Sequence, residues 1–220
     1  MSFMIPSMRD LRSLSRMAVK AVIFDLGKVI VPFDFKRSYA KLAPLCGISI
    51  AEIPARIAPS GLIDLFESGG IEPREFVREF SKLLNLDTSY EDFCEIWASI
   101  FLPDTLIPDS MLEGIARGYR LVLLSNTNAI HFEMLRRTYP LLRHFHSFVL
   151  SYEVGAMKPL PAIFLRAIEE AQCRPEECFY TDDLAVNIEA ARAHGMDAVQ
   201  FESAEQIEAE LHKRGVLWRQ

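Results

Sequence analysis

Four places in the chain carry residues whose types could act together. Asp25 ends the apolar run Val22-Ile23-Phe24, Ser125-Asn126-Thr127 follows Leu121-Val122-Leu123-Leu124, Lys158 stands in Met157-Lys158-Pro159, and Asp182-Asp183 follows Cys178-Phe179-Tyr180-Thr181. A carboxylate at a strand end can attack a positioned electrophile and form a covalent intermediate. Asp183 beside it would share a hard, oxygen-ligated cation such as Mg2+, which relieves the cost of two neighbouring like charges. The Lys158 ammonium and the Ser125 hydroxyl suit the equatorial oxygens of a transferring phosphoryl group, whose charge catalysis must stabilise. The set therefore points to phosphoryl transfer to Asp25 followed by hydrolysis. Each residue also has a plainer reading: Asp25 could only terminate a strand, Ser125 and Asn128 could cap the helix that follows, and Lys158 could be a solvated lysine.

These residues can meet only if strands deliver them to one edge. Val22–Phe24 reads as a buried strand, with Pro32 blocking its continuation. From Pro108 onward, strands and helices alternate. Helices are expected at 109–117, 129–139, 162–172 and 184–194, and strands at Arg120–Leu124, Phe145–Leu150, Cys178–Thr181 and Ala198–Phe201. A last helix opens at Ser203, with Gln206 placed for a capping box, and closes near Gly215. Such alternation predicts an α/β fold with a doubly wound, Rossmann-like parallel sheet. Ligands of open parallel sheets bind at the carboxyl ends of the strands, and each polar set above falls there.

Residues 33–106 break the alternation. Phe76, Val77, Phe80, Leu83 and Leu84 share a helical face behind Pro73, and Tyr90, Phe93, Cys94, Trp97 and Phe101 form a second stripe. The stretch reads as a small α-helical cap inserted into a core made of 18–32 and 107–220, with 1–17 as a loosely attached leader. His144 and His146 would share a strand face as structural or solvated residues.

Half of the 220 residues are hydrophobic, enough for a sizeable core, and the net charge is -6 with acids and bases interspersed. That balance offers no basic footprint for nucleic acid or an anionic membrane. No apolar run approaches the roughly 20 residues that span a bilayer, and 1–17 lacks the apolar segment of a secretory signal. The cysteines Cys46, Cys94, Cys173 and Cys178 are irregularly spaced, so reduced thiols and a cytoplasmic location are expected, with the chain a monomer or homodimer.

The segment Asp25-Leu26-Gly27-Lys28-Val29, the Ser125-Asn126-Thr127 set, Lys158, and Asp182-Asp183-Leu184-Ala185-Val186-Asn187 together resemble the four motifs of the haloacid dehalogenase-like hydrolases. The nearest likeness is to the group with the phosphatase domain of soluble epoxide hydrolases and bacterial sugar-1-phosphate phosphatases. The resemblance implies Asp25 as nucleophile and Mg2+ ligand, Gly27 as a ligand through its carbonyl, and Asp183 as the other protein ligand. It further implies Ser125, Asn126 and Lys158 as phosphate-binding residues, with Asp182 and Asn187 supporting them. The expected substrate is a small phosphorylated metabolite.

One departure stands out. Most phosphatases of this kind carry an acid two residues after the nucleophile, and here that position is Gly27. General acid-base help is worth about 10^2 to 10^4 in rate. Its loss implies a good leaving group such as a sugar 1-phosphate, a proton from Lys28, Asp34 or the cap, or a weakly catalytic phospho-ligand binder. A 2-haloacid dehalogenase would need no metal, and the adjacent Asp182 and Asp183 argue against it. Substrate choice is expected from a cap loop at Phe66, Glu67, Gly69 and Gly70.

Overall fold

The computed structural model describes residues 18–218; the leader expected over 1–17 lies outside them. Five strands, β1 (Ala21–Phe24), β2 (Arg120–Ser125), β3 (Ser147–Leu150), β4 (Cys178–Asp182) and β5 (Asp197–Gln200), form one sheet in the order β3-β2-β1-β4-β5. All pairs are parallel, with Phe24 opposite Leu123 on one side and Thr181 on the other. After β3 the chain crosses to the far side of β1, so the strand order reverses around β1. A crevice opens at such a switch point, beyond the carboxyl ends of the strands.

Alternating side chains pack the two faces of the sheet separately, as the two-residue strand period requires. Val22, Phe24, Leu121, Leu123 and Phe179 meet helices α6 (Asp109–Ala116), α7 (Ala129–Thr138) and α11 (Ala204–His212). Ile23, Val122, Leu124 and Tyr180 meet α9 (Pro161–Ala171) and α10 (Ala185–Ala193), while the short α8 (Ser151–Val154) follows β3. Both faces are buried, which accounts for the uninterrupted apolar runs.

Between β1 and α6 lie only helices: α1 (Lys36–Cys46), α2 (Glu52–Ile57), α3 (Leu62–Glu67), α4 (Pro73–Leu84) and α5 (Tyr90–Ala98). They enclose their own core, in which Phe66 stacks on Phe76 at 4.0 Å and Trp97 packs against Phe76, Phe80 and Phe93. Phe33 and Phe101 form an antiparallel bridge, so the strands of chain that leave and re-enter the sheet domain run side by side. Among the described residues no helix is long and apolar enough to cross a membrane.

Several expectations are corrected. β3 begins at Ser147, because Pro140 opens a 3-10 turn over Pro140–His144. His144 and His146 therefore share no strand face: His144 bonds Asp109 at 3.1 Å, and the His146 ring accepts from the Leu121 N–H at 3.0 Å. Leu83 is exposed, beyond the edge of the buried face of α4. Ser203 caps α11 by accepting from the Gln206 N–H, but the Gln206 amide donates to the Gln200 carbonyl instead of closing the box. Phe66 and Glu67 end a helix rather than lying in a loop, and Phe66 packs in the core of the inserted helices.

Candidate active site

β1 stops at Phe24, and Asp25 is held in line by its N–H donating to the Thr181 carbonyl at 3.0 Å. The chain then turns tightly: the amides of Ile30 and Val31 both donate to the Leu26 carbonyl, and Lys28 takes a left-handed φ of 59°. A non-glycine residue in that region is uncommon and marks a backbone held by its surroundings. Lys28 itself is exposed, its ammonium 5.3 Å from the centre of the Phe33 ring.

Lys158 is the hub. Its buried ammonium donates to Asp25 Oδ1 at 2.6 Å, to Asp182 Oδ2 at 2.7 Å and to the Leu124 carbonyl at 3.2 Å. Burial works against its charge, but the two carboxylates outweigh that and raise its pKa. Asn126, expected at the phosphate, clamps the Lys158 backbone: its amide oxygen accepts from the Lys158 N–H at 2.7 Å and its amide nitrogen donates to the Lys158 carbonyl at 3.0 Å. Ser125 is buried at the end of β2, its hydroxyl donating weakly to the Asn126 carbonyl at 3.3 Å. The loop behind it is pinned by Ser151, whose hydroxyl exchanges bonds with the Thr127 N–H and carbonyl at 2.9 Å each.

Asp182 is fully buried and saturated with donors. Besides Lys158 it accepts from the Tyr180 hydroxyl, the Leu184 N–H at 2.8 Å and the Asn187 amide at 3.0 and 3.1 Å. Burial opposes its ionisation, yet Lys158 and these bonds hold its pKa below the ordinary value. Asp25 goes the other way. Burial pushes its carboxyl up to about 7, with Lys158 opposing and Asp182 adding to the rise. Burial and Asp182 also raise Asp183.

Carboxylate oxygens of Asp25, Asp182 and Asp183 lie within 4.8 Å of one another. With Lys158 the fully ionised set carries a net charge of -2, from three carboxylates and one ammonium. Asp182 is already occupied by protein donors. Asp25 and Asp183 are thus two oxygen donors at which a negative charge is disfavoured, a set that fits a hard divalent cation. Gly27 lies two residues after Asp25 in the same turn.

The inserted helical segment borders this edge. A cavity of about 50 Å³ is lined by Gly27, Phe33, Glu67, Phe101, Ser125 and Asn126, among others. Gly69, with φ 72°, approaches α8 so closely that an added Cβ would overlap the Tyr152 carbonyl. Asp34 is exposed and accepts from the Lys36 N–H at 2.9 Å, opening α1.

Two residues escaped the sequence reading. Tyr180 could have been found, since it lies two positions before Asp182 on one strand and so shares its face. His131 gave no such signal, because its partner Trp97 is distant in sequence. Its ring stacks on Trp97 at 5.4 Å, one nitrogen facing the Trp97 carbonyl at 3.2 Å and the other the Asn128 amide at 3.1 Å. Burial lowers its pKa to about 4 against the effect of the carbonyl, so the ring is neutral at pH 7.

The sequence model of the haloacid dehalogenase-like hydrolases matches residues 19–195. The chain belongs to that family. Within it, D-ribitol-5-phosphate phosphatase of Bacteroides thetaiotaomicron is 27% identical over 202 residues, covering 88% of this chain and 97% of that protein. Phosphatase MT3486 of Mycobacterium tuberculosis is 26% identical over 192 residues, covering 83% and 87%. Among solved structures, the HAD family enzyme bt-2542 of B. thetaiotaomicron in complex with magnesium and inorganic phosphate superposes with a TM-score of 0.74 at 26% identity, covering 84% of this chain and 95% of that one. Its magnesium complex gives 0.76 at 25% identity, covering 89% and 99%. Like these relatives, the chain is a hydrolase on the α/β scaffold of the family, and magnesium is the cation its structural relatives hold.

Proposed function

We propose that this haloacid dehalogenase-like hydrolase is a Mg2+-dependent phosphatase that removes phosphate from a small metabolite of the sugar or sugar-alcohol phosphate class through an aspartyl-phosphate on Asp25. The observation that carries the reading is the Lys158 ammonium, held 2.6 Å from Asp25 and 2.7 Å from Asp182 at the switch point, with the Asp183 carboxylate beside them. Asp25 Oδ1 is engaged by Lys158, which leaves the second oxygen of the carboxylate for attack on phosphorus.

Asp25, Asp183 and the Gly27 carbonyl would hold Mg2+, which when bound offsets the charge of the carboxylates and of the incoming phosphate. Ser125 and Lys158 face the transferring phosphoryl group. Asn126 fixes Lys158 from behind, and Asn187 and Tyr180 fix Asp182, which in turn aims Lys158. From the cap, Glu67 borders the place where the organic part of the substrate would lie. The missing carboxyl at Gly27 favours a good leaving group such as a sugar 1-phosphate, whereas the resemblance to a D-ribitol-5-phosphate phosphatase favours a terminal sugar-alcohol phosphate.

Phosphate release over a panel of sugar 1-phosphates, sugar-alcohol phosphates and acetyl phosphate tests the reading. Turnover should need Mg2+, vanish in Asp25→Asn, and fall steeply in Asp183→Asn. Turnover unaffected by chelator, or intact in Asp25→Asn, would refute it.

A further inference from the structure

The cavity between cap and sheet contains two titratable side chains, Glu67 and His131. Both nitrogens of His131 face protein partners, the Asn128 amide and the Trp97 carbonyl, so the ring has no proton to give and no lone pair to spare. Lys28 and Asp34, the other groups near Gly27 in sequence, are exposed and do not line the cavity. The space that a side chain at position 27 would occupy is itself filled, because a Cβ there would sit 2.7 Å from Phe33 Cε1. The protein therefore lacks a carboxyl on the nucleophile's own loop, and a side chain there would have to displace the Phe33 ring.

Glu67 ends α3, borders the same cavity as Gly27, Ser125 and Asn126, and has no hydrogen-bond or ion-pair partner for its carboxylate among the described residues. We propose that Glu67, carried by the cap, gives the proton to the leaving-group oxygen and then takes one from the hydrolytic water, in the role left vacant by Gly27. The inference rests on the phosphatase reading above. In the first step an Asp25 oxygen bonds to phosphorus, the bond from phosphorus to the ester oxygen breaks, and the Glu67 proton moves to that oxygen, releasing the alcohol. In the second step a water oxygen bonds to phosphorus as its proton passes to Glu67. The bond from phosphorus to Asp25 breaks, inorganic phosphate leaves, and Glu67 is again protonated.

Its surroundings suit both steps. Burial, with the like charge of Asp64 one turn earlier, pushes the Glu67 carboxyl up to about 7, and the neutral His131 ring lines the same cavity. An acid poised there can both give and take a proton near neutral pH. The site is then not restricted to good leaving groups.

The test is Glu67→Gln, which keeps shape and removes the proton. With a sugar-alcohol phosphate, kcat should fall about 100-fold or more. With p-nitrophenyl phosphate, whose leaving group needs no proton, a stoichiometric burst of p-nitrophenolate should survive and be followed by slow dephosphorylation. The wild-type pH profile should lose one limb in the variant, while the Mg2+-induced rise in Tm stays. Equal losses on both substrates without a burst, or no loss on the sugar-alcohol phosphate, would overturn the role of Glu67 and leave the phosphatase reading standing. Absence of turnover by wild-type enzyme on any phosphate ester would overturn that reading and the role of Glu67 with it.

Discussion

Restoring an aspartate at position 27 is the obvious repair suggested by the sequence, and the structure predicts that the single change fails. The new Cβ would lie 2.7 Å from Phe33 Cε1, about 0.7 Å inside the 3.4 Å at which ordinary contact begins. To retreat, the half-buried Phe33 ring must give up its edge-on contacts with Phe35 at 5.3 Å and Phe101 at 6.2 Å and its place 5.3 Å from the Lys28 ammonium. Overpacking of this kind costs about 1–3 kcal/mol. For a chain of this size each kcal/mol lowers Tm by about 2–4 °C. Gly27→Asp should therefore melt roughly 2–12 °C below wild type and gain no activity, because the ring crowds the new side chain from its Cβ outward. Shortening the ring in Gly27→Asp/Phe33→Leu should recover most of the Tm. Placed on Glu67→Gln, the pair should restore turnover of sugar-alcohol phosphates by about 10^2. Differential scanning fluorimetry and phosphate release read both outcomes. If Gly27→Asp alone is as stable as wild type and faster on alkyl phosphates, the argument from Phe33 is wrong.

Two further outcomes follow from the buried groups. Lys158→Met leaves Asp25 and Asp182 buried beside each other without their shared cation, and urea denaturation should show a loss of about 3–5 kcal/mol; adding Asp182→Asn should return part of it, and a loss below about 1 kcal/mol in the single variant would contradict the pairing. His131 titrates near 4 when folded against 6.5 when free, so between those values the unfolded chain binds a proton that the folded ring refuses. Its contribution to stability is complete above pH 6.5 and is lost as pH falls toward 4, on the order of 3 kcal/mol in all; His131→Gln should flatten that part of the stability curve, and an unchanged slope would contradict it.

Much of the sheet was legible because its determinants are local. Val22–Phe24 and Leu121–Leu124 are buried on both faces, so they appear as unbroken apolar runs, and the parallel order follows from the helices between strands. Asp25, Ser125, Lys158, Asp182 and Asp183 fell at strand ends or in the loops after them, and the structure brings Asp25, Lys158, Asp182 and Asp183 within hydrogen-bonding or ligand-sharing distance. What the sequence concealed depends on contacts between distant segments. Nothing near Asn126 indicates that its amide clamps Lys158, thirty-two residues on. Phe66 and Glu67 are neighbours in sequence, yet helical geometry turns one into the cap core and the other onto the cavity beside Gly27. The strand expected from Phe145 starts instead at Ser147, after a 3-10 turn over Pro140–His144 that the sequence reading left unassigned.

The central claim is that Asp25 accepts the phosphoryl group. Enzyme mixed with Mg2+ and a substrate it turns over, quenched in acid within one turnover and digested, should carry one phosphoryl group on the peptide containing Asp25, and none in Asp25→Asn or without Mg2+. Full turnover with no phosphoryl group on that peptide at any quench time, or the group on another residue, would contradict the account.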